Sequence, residues 1–170
     1  KAMVDYSSLD IKHLGSIYEG LLEYKLTPDL NLLTDKGERR ATGSYYTPDY
    51  VVKYIVQNTI GMILSQKKEE WADSLDRKKF ADHILSIKIL DPAMGSGHFL
   101  VEAVDYLARA LVEAWATAKK EEAKTKEVAE HDIQWARREV VRKCIYGVDL
   151  NPMAVELAKL ALWLTTAAAN

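Results

Sequence analysis

The segment Ile87-Lys88-Ile89-Leu90-Asp91-Pro92-Ala93-Met94-Gly95-Ser96-Gly97-His98-Phe99-Leu100 most narrows what this chain can become. It opens on a β-branched and aliphatic run, turns through Asp-Pro and Gly-Ser-Gly, and passes into apolar residues at helical spacing. That order predicts a strand at about 86–90, a tight turn, and a helix whose amino end faces a ligand. Gly95 and Gly97 let the backbone bend and come close to a bound group where a Cβ would collide. Asp91, at the carboxyl end of the strand, falls at the crevice where open α/β sheets bind their ligands. An ordinary strand-to-helix connection accounts for a Gly-x-Gly turn equally well, so the flanking segments decide the reading.

Two segments bear on it. Gly43-Ser44-Tyr45-Tyr46-Thr47-Pro48-Asp49 reads as a helix start: Thr47 is a good N-cap, Pro48 suits the first helical position, and Asp49 favours the positive helix end. Val52, Ile55, Val56, Thr59 and Ile63 then form a helical stripe. Capping alone would explain Thr-Pro-Asp. Downstream, Cys144-Ile145-Tyr146-Gly147-Val148-Asp149-Leu150-Asn151-Pro152 reads as an apolar strand ending in an acid. Asn-Pro starts the next helix, with Met153, Leu157, Leu160 and Leu164 on one face. An Asp-x-Asn-Pro turn, a common way into a helix, is the plainer explanation of Asp149.

Asp-Pro-x-x-Gly-Ser-Gly-x-Phe resembles the cofactor-binding motif of S-adenosylmethionine-dependent DNA methyltransferases, particularly the N6-adenine enzymes of restriction–modification systems. Tyr-Thr-Pro upstream of it and Gly-x-Asp-x-Asn-Pro downstream are similar to two further motifs of that family, in the order called the gamma class. The resemblance implies an α/β, Rossmann-like methyltransferase fold with an incomplete sheet and an N-terminal helical extension. It divides the chain into an extension and linker, 1–42, and the cofactor-binding half of a methyltransferase domain, 43–170. It implies S-adenosyl-L-methionine as cofactor. Tyr46 would flank the methionine moiety, and Thr47 with the amides after it would meet the carboxylate. Asp91, Pro92, Met94, Gly95, Ser96 and Gly97 would form the turn around the cofactor, with Phe99 anchoring the first helical turn beneath it. Asp149 would accept hydrogen bonds from both ribose hydroxyls, and Leu150 would lie against the adenine face.

The same family activates the adenine amine with an Asn/Asp-Pro-Pro-Tyr/Phe motif on a later strand. No Pro-Pro occurs here: the four prolines are Pro28, Pro48, Pro92 and Pro152. No catalytic residue is therefore assigned, and the chain by itself is expected to be inactive. Two other readings stay open. One is a methyltransferase acting on RNA or on a protein glutamine amide; the other is a non-catalytic scaffold subunit of the same fold.

Around these motifs the chain reads more plainly. Residues 9–26 have the spacing of an amphipathic helix interrupted by Gly15 and Gly20. Residues 27–42 read as a polar loop. Arg39 and Arg40 could meet DNA phosphate but suit an exposed surface better. Residues 66–79 suggest a charged connecting helix with Trp71 and Leu75 as a small ridge, and Phe80, Ile84 and Leu85 lead into the strand. Leu100, Val104, Leu107, Leu111 and Trp115 predict a helix at about 98–118. His98, at its start, reads as a surface histidine rather than a general base. The Lys/Glu alternation over 118–131 suggests an ion-paired exposed stretch, followed by a helix at about 132–143 with Ile133, Ala136 and Val140 inward.

The formal charge of −2 over 170 residues lacks the basic surplus of a DNA-binding module. Double-stranded DNA is thus expected to be held mostly by regions outside this chain, with a specificity or nuclease subunit or domain as a further partner. The single cysteine, Cys144, excludes an intramolecular disulfide and suits a buried position in a reducing compartment. No secretory signal, transmembrane run or metal-spaced Cys/His cluster is evident. A soluble cytoplasmic domain without a metal is the expectation.

Overall fold

The computed structural model describes residue 17 and residues 24–29, 32–34, 47–70, 77–119 and 128–167. In chain order these hold β1 (Tyr24–Leu26), β2 (Leu32–Thr34), α1 (Asp49–Glu70), α2 (Arg77–Ser86) and β3 (Ile89–Asp91). α3 (His98–Lys119), α4 (Val128–Cys144), β4 (Ile145–Gly147) and α5 (Pro152–Thr166) follow. The described chain is mostly helical, with one antiparallel and one parallel pair of strands.

The core is built around α3. Leu100, Val104, Leu107, Ala108 and Leu111 are buried along it, and the fully buried Val52, Ile84, Ala136 and Val140 bring in α1, α2 and α4. The 3.6-residue spacing of the α3 apolar residues is what places them on one buried stripe. Trp115 continues it, with its ring centroid 4.3 Å from that of Trp135 on α4. Half-buried Arg137 donates to Asp105 at 2.8 Å and fixes the same two helices.

β3 and β4 are parallel, with Ile89 opposite Ile145, Leu90 opposite Tyr146 and Asp91 opposite Gly147. Parallel neighbours need a crossover, and α3 and α4 together provide it. Ile89 and Ile145 face the helical core, whereas Leu90 and Tyr146 point the other way and are exposed.

Several sequence expectations need correction. The helix expected to reach residue 26 gives way to β1, and the expected loop contains β2. The turn at Pro28-Asp29 separates the two runs, which pair as Tyr24 with Thr34 and Leu26 with Leu32. Apart from Ile17, which is helical, the rest of that expected helix lies outside the described residues. So do Trp71, Leu75, Arg39, Arg40 and residues 120–127 of the Lys/Glu run.

α1 buries Val52, Val56, Ile60 and Leu64 and leaves Ile55 and Ile63 exposed, a stripe turned from the expected one. The expected strand at 86–90 begins only at Ile89, because Phe80–Ser86 belongs to α2. Cys144 closes α4 instead of opening β4, and it is fully buried. α5 turns inward Ala154, Ala158, Ala161 and Thr165, while of the expected face Met153 and Leu160 are exposed and Leu157 and Leu164 half-buried. At Ala158 the glycine turn comes close to the helix backbone.

Candidate functional site

β3 ends on Asp91, whose Oδ1 accepts the Ala93 N–H at 3.1 Å and so starts the turn. The Gly97 N–H donates to the Met94 carbonyl at 2.8 Å, and the Gly97 carbonyl accepts from Val101 at 2.9 Å, opening α3. Gly95 and Gly97 have φ of 54° and 87°, a backbone region that L side chains rarely adopt. Their surroundings differ. A Cβ on Gly97 would lie 3.0 Å from the Ala158 Cβ and 3.2 Å from its Cα, so the turn presses on α5. Among the described residues, a Cβ on Gly95 would meet nothing within 4 Å. Among the described residues the first glycine therefore faces open space and the second a neighbouring backbone.

The chain after β4 is stitched to this turn. Val148 N–H donates to the Asp91 carbonyl at 2.9 Å, and Met94 N–H to the Val148 carbonyl at 3.0 Å. Asp149 Oδ2 accepts the Gly95 N–H and Oδ1 the Asn151 N–H, each at 2.8 Å. Asn151 caps α5, its Oδ1 accepting from Met153 N–H at 3.0 Å, with Pro152 first in the helix. The plain Asp-x-Asn-Pro turn is thus present, and Asp149 ties it to the glycine bend.

α1 reaches the same place. Pro48 gives its carbonyl to Val51 at 2.9 Å and Val52 at 3.2 Å, so it stands at the N-cap, one residue before the expected position. Half-buried Thr47 immediately precedes it. Asp49 Oδ1 lies 3.3 Å from His98 Nε2, and its Oδ2 2.6 Å from Lys53 Nζ. His98 is therefore no surface histidine: its side chain is 11% exposed and turned to α1.

The amino ends of α1, α3 and α5 converge at the carboxyl ends of β3 and β4. Such ends carry unsatisfied N–H groups and partial positive charge, which favours an anion. Around them stand the carboxylates of Asp49, Asp91 and Asp149. Leu150 is fully exposed at the rim, and Pro92 is exposed beside Asp91. Ser96 is half-buried in the turn, and Phe99, half-buried, packs on the core below. Met94 lies over Gly147, where a Cβ would meet its sulfur. Tyr46 lies outside the described residues.

Sequence reasoning treated Asp49 only as a helix-end charge and missed its contact with His98; a pair 49 residues apart leaves no spacing signal. Among the described residues no three His, Cys, Asp or Glu side chains gather as a metal site. No described helix is long and apolar enough to cross a membrane.

A strand, a glycine bend and an acid two residues beyond the second strand lie together beside three helix amino ends, and the chain belongs to the family described as the MmeI DNA-methyltransferase domain, whose model matches residues 65–170. Curated relatives agree with the resemblance drawn from the motifs. A Methanocaldococcus jannaschii protein named as a type II restriction enzyme and methyltransferase is 32% identical, covering 88% of this chain and 15% of its own length. The type II restriction enzyme and methyltransferase RM.Eco57I of Escherichia coli is 29% identical over 89% of this chain and 14% of its own. The adenine-specific methyltransferase BrxX of Escherichia coli (strain HS) is 23% identical over 93% and 13%. The chain thus spans 15% or less of the length of these relatives.

Proposed function

We propose that the mouth between α1, the glycine turn and Asp149 binds S-adenosyl-L-methionine. The chain then serves as the cofactor-binding part of an enzyme that methylates adenine N6 in double-stranded DNA, in restriction–modification or phage defence. Residues 43–170 form this part, on a Rossmann-like plan whose sheet is incomplete here, and 1–42 form an extension. One observation carries the reading: motifs far apart in sequence meet at one place, with Asp149 bonded to Gly95 and Asp49 against His98.

The residues present fit the cofactor. Among the described residues, the space beside Gly95 leaves it room to approach the backbone. Converging helix amino ends, with Thr47 at one of them, suit the methionine carboxylate, and Tyr46 would flank the methionine chain. Each Asp149 oxygen accepts one backbone N–H and retains capacity for a ribose hydroxyl. Asp91, Pro92, Met94, Ser96 and Gly97 shape the floor, Phe99 supports it, and exposed Leu150 offers an apolar surface to adenine. When bound, the cofactor supplies a methyl group on a positively charged sulfur. This chain's residues bind and orient it; the groups that accept hydrogen bonds from the adenine amine, and DNA recognition itself, lie in other parts of the enzyme.

The test is calorimetry of S-adenosylmethionine with the full-length gene product and its Asp149→Ala variant. Loss of a bidentate carboxylate should weaken binding by about tenfold or more, with less adenine methylation in DNA. Unchanged affinity would remove Asp149 from the site.

A further inference from the structure

α1 and α3 touch in the same order along both: Asp49 with His98, Gly61 with Tyr106, Lys68 with Glu113. They are therefore parallel, and their positive amino ends lie side by side, an unfavourable arrangement that a carboxylate between them offsets. Asp49 is that carboxylate. Its partner follows Gly97 directly, so any slide of α1 along α3 changes the gap between Thr47-Pro48 and the glycine turn. Apolar packing of Val52 and Val56 in the common core is non-directional. Lys68 and Glu113, at the far end, are 64% and 65% exposed, where solvent screens the pair. A shielded directional tie lies at the mouth, where the His98 side chain is 11% exposed.

We propose that His98 and Asp49 are positioning residues of the candidate site: their contact pins the amino end of α1 to that of α3 and sets the width of the mouth that receives the methionine end of the cofactor. The proposal rests on the cofactor reading above.

Two variants in the full-length gene product separate this role from general stability. In His98→Gln the amide nitrogen reaches about as far as Nε2 and keeps a donor to Asp49; in His98→Asn it falls short. Hydrogen exchange without cofactor should speed up about tenfold at Val51 and Val52 in His98→Asn and stay near the unsubstituted rate in His98→Gln. KM for S-adenosylmethionine should rise about tenfold in His98→Asn alone, with kcat at saturating cofactor kept within twofold. Lys53→Met, which removes only an exposed contact of Asp49, should change neither quantity. Asn and Gln variants with equal exchange rates, or a Lys53→Met effect as large as that of His98→Asn, would overturn the tether. Failure of the unsubstituted protein to bind S-adenosylmethionine would instead overturn the cofactor reading, and the exchange rates, taken without cofactor, still decide the tether.

Discussion

Asp149 Oδ2 accepts a 2.8 Å hydrogen bond from the backbone N–H of Gly95, 54 residues earlier in the chain. The bond joins the acid after β4 to the first glycine of the turn after β3. Its other oxygen holds Asn151 N–H, which starts α5. One carboxylate therefore organises both turns that border the mouth.

The two turn glycines are expected to respond differently to alanine. Gly97→Ala combines a left-handed φ with backbone contact at Ala158, so it should cost about 2–3 kcal/mol. By size scaling that lowers Tm by roughly 4–12 °C. Gly95→Ala meets only the conformational cost of about 1 kcal/mol, but its methyl enters the open space proposed for the cofactor. Thermal unfolding should thus rank Gly97→Ala as the less stable, while S-adenosylmethionine titration should find Gly95→Ala impaired although folded. A Gly95→Ala variant that binds normally would show that the space serves no ligand.

Cys144 is expected to be inert in the folded protein. It is fully buried, its Sγ 3.6 Å from the Ile84 carbonyl and 3.7 Å from that of Leu85. Burial pushes its thiol above the ordinary cysteine value, which suppresses the reactive thiolate. Iodoacetamide at neutral pH should modify it only at the rate of unfolding, and denaturant should release that block. Rapid alkylation of the native protein would contradict the packing of α4 against α2.

Much of this was legible from residue order. Asp91 at a strand end, the glycines at positive φ and Asn151-Pro152 at a helix start follow from local chemistry: few residue types satisfy such turns. Faces were harder. α5 buries alanines rather than the leucines its hydrophobicity suggested, because Gly97 brings a backbone against Ala158. That approach is tertiary and invisible to periodicity. Short strands were missed for a related reason: Tyr24–Leu26 and Leu32–Thr34 are defined by pairing with each other, not by their own composition. The Asp49–His98 contact depends on two helices lying parallel, which neither helix encodes alone.

The central claim is that separate segments close on one small molecule, and hydrogen–deuterium exchange with and without saturating S-adenosylmethionine tests it most directly. Peptides covering the start of α1, the Gly95–Gly97 turn and the Asp149–Asn151 turn should all be protected together by the cofactor. Protection confined to one of them, or none despite measured binding, would contradict it.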